Sequence, residues 1–244
     1  MSTTVMGISL NNFSMQYEQQ SLFKGLTAHF SAGYWHSILG SSGVGKSSLL
    51  KAMAGLLPYQ EGEICIEKSS SAVAWMAQDD LLMPWLNVLD NVCLGYRLRQ
   101  HLSTEIREQA FALLEKVGLA DFAMRMPYQL SGGQRQRVAL ARTLLEDKPI
   151  VLMDEPFSAL DVVSRLQLQT LFVELLAGKT VILITHDPLE ALRLSQCVWL
   201  MQGNPAQLRK VLELTSPTPR AVDDKQVLEW QNRLLIKMMG GEDE

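Results

Sequence analysis

Along residues 7–39 apolar and polar positions alternate, as in Ile8-Ser9-Leu10 and Tyr34-Trp35-His36-Ser37-Ile38-Leu39, with Gly25 and Gly33 marking turns. A period of two suits a half-buried strand, whose successive side chains point to opposite faces, so this stretch is predicted to be strand-rich. From Gly45 to Ala54 the spacing becomes helical and stops at Gly55, with Pro58 just beyond. Glycine accepts the left-handed residue that closes a helix and proline cannot continue one, so this is a strong helix end. Strand-like sequence returns at Glu63–Glu67 and Ala72–Met76. Between about Leu86 and Met126 the pattern is helical without intervening strands: Ile106, Ala110, Leu113, Leu114 and Val117 share one face and Gly118 closes the segment. This stretch is read as an inserted helical subdomain.

After Pro149 the order is strand, helix, strand, helix, strand: Ile150–Met153, Ser164–Ala177, Thr180–Thr185, Leu189–Leu194 and Cys197–Met201. Short, continuously apolar strands separated by helices predict an α/β fold with a parallel sheet covered on both faces. From Asn204 the prolines Pro205, Pro217 and Pro219 predict a loop-like stretch, followed by a helix with Val227, Trp230, Leu234 and Met238 on one face. No internal repeat is visible.

Composition adds exclusions. With 244 residues, 47% hydrophobic and 20% charged, the chain is long and apolar enough to bury a substantial core. A net charge of -4 lacks the basic footprint of a general nucleic-acid binder, so no nucleic-acid partner is expected. Cys65, Cys93 and Cys197 are odd in number, far apart and in no CxxC spacing, which reads as reduced packing thiols in a cytosolic protein. The start, Met1 to Met6, has no basic segment followed by an apolar one, and no window approaches about 18 uninterrupted apolar residues. If the protein works at a membrane, a partner is expected to hold it there.

Gly40-Ser41-Ser42-Gly43-Val44-Gly45-Lys46-Ser47 matches the phosphate-loop pattern G-x-x-x-x-G-K-[ST], after an apolar strand and before a helix, with Ser48 next in line. Glycines let backbone N–H groups turn inward around phosphates, and the helix N-terminus adds favourable partial charge. Lys46 is placed to reach the β- and γ-phosphates, and the Ser47 hydroxyl to ligate Mg²⁺. Ile150-Val151-Leu152-Met153 ends in Asp154 and Glu155. Open parallel sheets bind ligands beyond the C-terminal ends of their strands, so Asp154 is placed to hold Mg²⁺ and Glu155 to polarise an attacking water. Alone this acidic pair is equally a solvated strand end; the phosphate loop gives it its reading.

Leu130-Ser131-Gly132-Gly133-Gln134 precedes a long helical pattern from Gln134 to Leu145. With this motif the chain resembles the ABC ATPases over roughly residues 7–202. The resemblance implies a P-loop ABC ATPase with a mainly parallel core sheet, an antiparallel β subdomain and an inserted helical subdomain. The expected layout is an ATPase domain at 1–202, with the helical part at about 86–128, and a C-terminal tail with a helix at 203–244. In that family the signature residues, here Ser131, Gly132, Gly133 and Gln134, bind the γ-phosphate of ATP held by the opposite subunit. The resemblance therefore implies a homodimer, with ATP and Mg²⁺ as cofactors.

The same resemblance makes Gln78 the Q-loop residue that touches Mg²⁺ and the attacking water, Ser158-Ala159-Leu160-Asp161 the D-loop at the dimer interface, and His186 the switch histidine on the γ-phosphate. Tyr17 stands where the family has an adenine-stacking aromatic; Phe13, Phe23 and Tyr34 are nearby, and a packing role for Tyr17 stays open. His29, His36 and His101 lack such context and are expected to be structural or exposed. An unrelated P-loop kinase or GTPase would leave the signature and His186 unexplained.

Met83-Pro84-Trp85-Leu86-Asn87-Val88-Leu89-Asp90-Asn91-Val92 resembles the segment after the Q-loop in importer ATPases of the nitrate, sulfonate, taurine and pyrimidine-precursor group. Simple packing of Trp85 and Leu86 between loop and helix suits the same residues. The Pro217–Arg220 stretch and final helix also resemble that group. The implied partners are integral-membrane permease subunits and, indirectly, an extracytoplasmic solute-binding protein, with the chain peripheral on the cytoplasmic face of the inner membrane. The alternative is a soluble ABC ATPase of translation or DNA maintenance; such factors generally fuse two cassettes or carry long coiled-coil or charged insertions, which this chain lacks.

Overall fold

The computed structural model describes residues 6–17, 20–66 and 72–238. Residues 1–5 and Glu67, parts of the leader and strand readings, lie outside them. In chain order the elements are β1 (Ile8–Tyr17), β2 (Gln20–Phe30), β3 (Trp35–Leu39), α1 (Lys46–Met53), β4 (Glu61–Ile66), β5 (Val73–Met76), α2 (Val88–Val92), α3 (Leu94–Leu98), α4 (Thr104–Lys116), α5 (Gly132–Leu145), β6 (Ile150–Asp154), α6 (Val162–Leu175), β7 (Thr180–Ile184), α7 (Pro188–Leu194), β8 (Cys197–Gly203), β9 (Ala206–Glu213) and α8 (Lys225–Met238). The chain divides into two compact units: Met1–Val73 with Pro149–Glu155 and Leu176–Glu244, and Ala74–Lys148 with Pro156–Leu175.

The first unit is built on a sheet whose strands run β4-β1-β2-β9-β8-β3-β7-β6. Its centre is parallel, β3 pairing with β7 and β8, and β7 with β6. β1 pairs antiparallel with β2 and β4, and β8 with β9. The central strands β3, β6 and β7 are buried along their whole length, which is why their sequences read as unbroken apolar runs. β9 is a departure from the sequence reading, which made residues 204–213 loop-like. Pro205 occupies the turn before the strand, and a register irregularity between Val198 and Trp199 breaks the alternation that would have revealed it.

The predicted final helix is present as α8. Val227 and Leu234 are buried with Leu192, Leu212 and Leu214, and Trp230 and Met238 pack beside them. Arg220 fastens the preceding proline-containing stretch. Its buried guanidinium donates to the Ser195 carbonyl at 2.8 Å, the Leu192 carbonyl, Ser216 Oγ at 2.7 Å and the Ser216 carbonyl at 2.8 Å. A cation at the carboxyl end of α7 also offsets that helix's negative pole.

Across residues 86–126, read from the sequence as helical without intervening strands, the second unit holds α2, α3 and α4 and no strand. Ser103 caps α4, its side chain accepting the Ile106 N–H, and Ala110 and Leu114 are buried on the predicted face. The cysteines are all free thiols, Cys65 exposed, Cys93 and Cys197 buried.

His36 is structural. It is fully buried on β3, edge-on to Phe30, with Nε2 3.0 Å from the Ser31 carbonyl and Nδ1 3.4 Å from the Trp199 indole nitrogen. Burial pulls its pKa down to about 4. A folded value below the unfolded one means that the unfolded chain takes the proton first, so stability is intact above the ordinary histidine value and falls as pH drops toward 4. We expect wild type to lose about 2 kcal/mol between pH 7 and pH 5 relative to His36→Gln. Urea unfolding of both proteins at the two pH values measures the difference.

Candidate functional site

The phosphate-loop residues leave β3 at Leu39 and enter α1 at Lys46. Gly40 follows the strand so closely that a Cβ there would collide with the Met201 carbonyl, and Gly45, at φ 106°, would place one 2.8 Å from the buried Phe23 ring. The loop therefore needs glycine at both places for space, and at Gly45 for backbone conformation as well. Ser41, Ser42 and Gly43 are exposed, Val44, Ser47 and Ser48 partly so, and Lys46 is buried. The Lys46 ammonium donates to the carbonyls of Gly40 at 2.8 Å and Ser41 at 2.9 Å. Burial lowers its pKa, and the charges of Glu155 and Asp154 oppose that shift.

Asp154 ends β6 almost fully buried. Burial raises its pKa, a hydrogen bond with the Ser47 side chain pulls it down, and the Glu155 charge raises it again. Glu155 has φ 46°, a left-handed backbone uncommon outside glycine, and its N–H donates to the Ile184 carbonyl of β7 at 3.0 Å. This turn directs the carboxylate to His186, whose Nδ1 lies 3.2 Å from Glu155 Oε2. His186 itself follows β7, two residues after its end, and Asp187 caps α7 by accepting the Leu189 N–H at 2.9 Å. One unit thus brings together Lys46, Ser47, Asp154, Glu155 and His186.

Gln78, Ser131–Gln134 and Asp161 lie in the second unit, and Tyr17 in the first. Gln78 is exposed in a bend after β5. Ser131 is the N-cap of α5: its Oγ accepts the Gln134 N–H at 3.2 Å, and Gln134 Oε1 accepts the Ser131 N–H at 2.9 Å. This reciprocal capping box gives Ser131 and Gln134 a structural function whatever they bind. A Cβ on Gly133 would press on Leu160 and Ala159, whereas Gly132 is exposed. Asp161 caps the start of α6 through the Ser164 N–H at 3.0 Å, the contact that holds its carboxyl below the usual range.

Tyr17 is 57% exposed at the end of β1, opposite Gln20, whereas Phe13 and Phe23 are fully buried. An open cleft of about 290 Å³ beside the loop is lined by Gln20, Leu22, residues 41–44, Gly203, Asn204 and Ala206. Sequence reasoning missed Gln20 and Asn204, because lone carboxamides near turns carry no spacing signal. It also missed Asn91, whose buried side chain accepts the Met83 N–H at 2.7 Å and donates to the carbonyls of Met83, Leu86 and Asn87 at 3.1, 2.9 and 3.1 Å. That carboxamide shapes the loop on which Trp85 stands 70% exposed.

A phosphate cradle with a buried lysine, backed by strand-end carboxylates and a histidine, defines a nucleoside-triphosphate hydrolase site. The profile of the ABC transporter family matches residues 23–158. An uncharacterized ABC transporter ATP-binding protein of Haemophilus influenzae is 42% identical over 96% of this chain and 99% of its own. The aliphatic sulfonates import ATP-binding protein SsuB 1 of Rhodococcus jostii is 41% identical over 96% of this chain and 94% of its own. The ATP-binding cassette MJ0796, solved as a dimer in a post-hydrolysis state with ADP and Pi, superposes with a TM-score of 0.77 at 30% identity, covering 86% of this chain and 100% of that one. This chain belongs to the ABC transporter family. It is an ATP-binding cassette and an ATPase.

Gly45→Ala should lower ATP affinity by about tenfold, the scale of one strained left-handed residue. Phe23→Leu in the same chain should recover only part, because the ring clash is relieved and the backbone strain is not. Titration with a fluorescent ATP analogue reads both effects.

Proposed function

We propose that this cassette is one half of a homodimeric motor that drives a solute importer from the cytoplasmic face of the inner membrane. The observation that carries the reading is the cluster of Lys46, Asp154, Glu155 and His186 beside the phosphate loop, in a chain 41% identical to an aliphatic sulfonate import ATP-binding protein. No helix among the described residues is long and apolar enough to cross a membrane, in keeping with attachment through permease subunits that receive solute from an extracytoplasmic binding protein.

In this mechanism the phosphate-loop N–H groups and Lys46 hold the β- and γ-phosphates, the ammonium exchanging loop carbonyls for phosphate oxygens. Glu155 accepts a proton from the attacking water, and His186 orients against the γ-phosphate while bonded to Glu155. The Ser47 hydroxyl and Asp154 carboxylate, already hydrogen-bonded to each other, are hard oxygen donors of the kind Mg²⁺ takes, and they would hold it. Bound there, the ion would neutralise phosphate charge. Ser131 and Gly132 of the opposite subunit complete each site, Asp161 lies at the dimer interface, and Tyr17 stacks on adenine. Trp85 docks the permease.

Glu155→Gln should leave ATP binding intact, cut turnover by about 10²-fold or more and trap an ATP-bound dimer, because the phosphate contacts outlast the base. Steady-state turnover and sedimentation with ATP and Mg²⁺ check it; near-wild-type turnover removes Glu155 from the mechanism. Lys46→Ala and Ser131→Arg chains, each inactive, should regain hydrolysis when mixed, since one site of the heterodimer has both residues intact. Trp85→Ala should weaken membrane recruitment and transport while ATP affinity of the isolated chain stays within twofold or so; full transport by this variant would refute the docking role.

A further inference from the structure

Arg135 is the first residue after the Ser131–Gln134 turn, and its half-buried guanidinium joins two segments far apart in sequence. Nε donates to Asp80 Oδ2 at 2.8 Å, and Nη1 donates to the Leu130 carbonyl at 2.9 Å. Leu130 immediately precedes Ser131, and Asp80 stands two residues after Gln78. The Asp80 carboxylate is itself oriented, its other oxygen accepting the Leu82 N–H at 3.2 Å. Arg142, further along α5, secures the same segment by donating to the carbonyls of Asp80 at 2.7 Å and Leu81 at 3.0 Å. The second terminal nitrogen of Arg135 lies 3.8 Å from where a Cβ of Gly132 would stand, so the planar fork lies against the turn.

The capping box ties Ser131 to Gln134 from within the turn, but it does not fix how the Leu130–Ser131 peptide is aimed relative to the rest of the unit. We infer that Arg135 is a positioning residue for the signature turn: by bridging Asp80 and the Leu130 carbonyl it aims Ser131 and Gly132 at the opposite subunit's ATP. The inference rests on the composite-site reading above. It requires a guanidinium, because a rigid fork spans two acceptors at set angles and a lysine ammonium on a flexible stem does not.

Arg135→Gln and Arg135→Lys should each lower kcat about tenfold with KM for ATP changed less than about twofold, since the chain's own phosphate loop is untouched. Asp80→Asn should lower kcat less, because the bond to Leu130 survives. Full activity of Arg135→Lys would show that charge alone suffices and overturn the bridging role. The decisive measurement mixes full-length Arg135→Gln with full-length Lys46→Ala. The heterodimer then pairs an intact phosphate loop with an intact signature turn, and one site should recover as in the Lys46→Ala and Ser131→Arg control. If the control recovers and the Arg135→Gln mixture does not, Arg135 acts on its own chain's fold or nucleotide site and the inference fails. If the control itself stays inactive, the composite-site reading falls and the inference falls with it.

Discussion

A parallel sheet delivers its strands' carboxyl ends to one edge, and the register of β3, β7 and β6 decides which residues arrive there together. Ile38 pairs with Ile184, and Ile184 with Asp154. The phosphate loop, the turn carrying His186 and the Asp154-Glu155 pair therefore begin at one level. A slip of one residue would move every side chain of a strand to the opposite face, taking Asp154 away from Ser47 and Lys46. All three strands are buried on both faces, so the hydrophobic core that stabilises the unit also enforces the alignment that the chemistry uses. Glu155 sits one residue past this alignment, where its left-handed backbone turns the side chain out of strand geometry and over to His186.

The electrostatics follow from the same burial. Lys46 and Asp154 lie in a poorly hydrated place, and each is pushed toward its neutral form by desolvation. What keeps them usable is their nearness to each other and to hydrogen-bonding groups: loop carbonyls around the ammonium, Ser47 beside the carboxyl. A triphosphate bound as proposed would bring several negative oxygens into this environment, where one buried cation counts for much more than it does in water.

Most of the fold was legible because it was written in local chemistry. Unbroken apolar runs gave the central strands, Gly55 the end of α1, and the Ala110–Leu114 face the orientation of α4. The candidate site was legible where residues are close in sequence, as in Gly40–Ser47 and Ser131–Gln134. β9 escaped because a proline turn and an irregular register removed its period-two signature. Asn91 and Arg135 escaped for another reason. Their work is done by hydrogen bonds to main-chain oxygens and to one carboxylate 55 residues away, and no spacing rule encodes such partners.

The helix N-termini differ in where their counter-charge comes from. α2, α4 and α7 each carry an acid in the first turn, Asp90, Glu105 and Glu190, which answers the positive pole of the helix from within the chain. α1, α3, α5, α6 and α8 carry none there, though Asp161 and Asp224 stand at the caps of α6 and α8. Aspartate would cap α5 about as well as serine does, yet the cap is the uncharged Ser131. α5 thereby forgoes a counter-charge usually worth about 0.3–1 kcal/mol, whereas Asp154, bonded to Ser47 in the first turn of α1, answers that helix's pole from β6. If the proposed composite site forms, the anion that answers the pole of α5 is carried by another chain, so two subunits and their nucleotides share one charge balance.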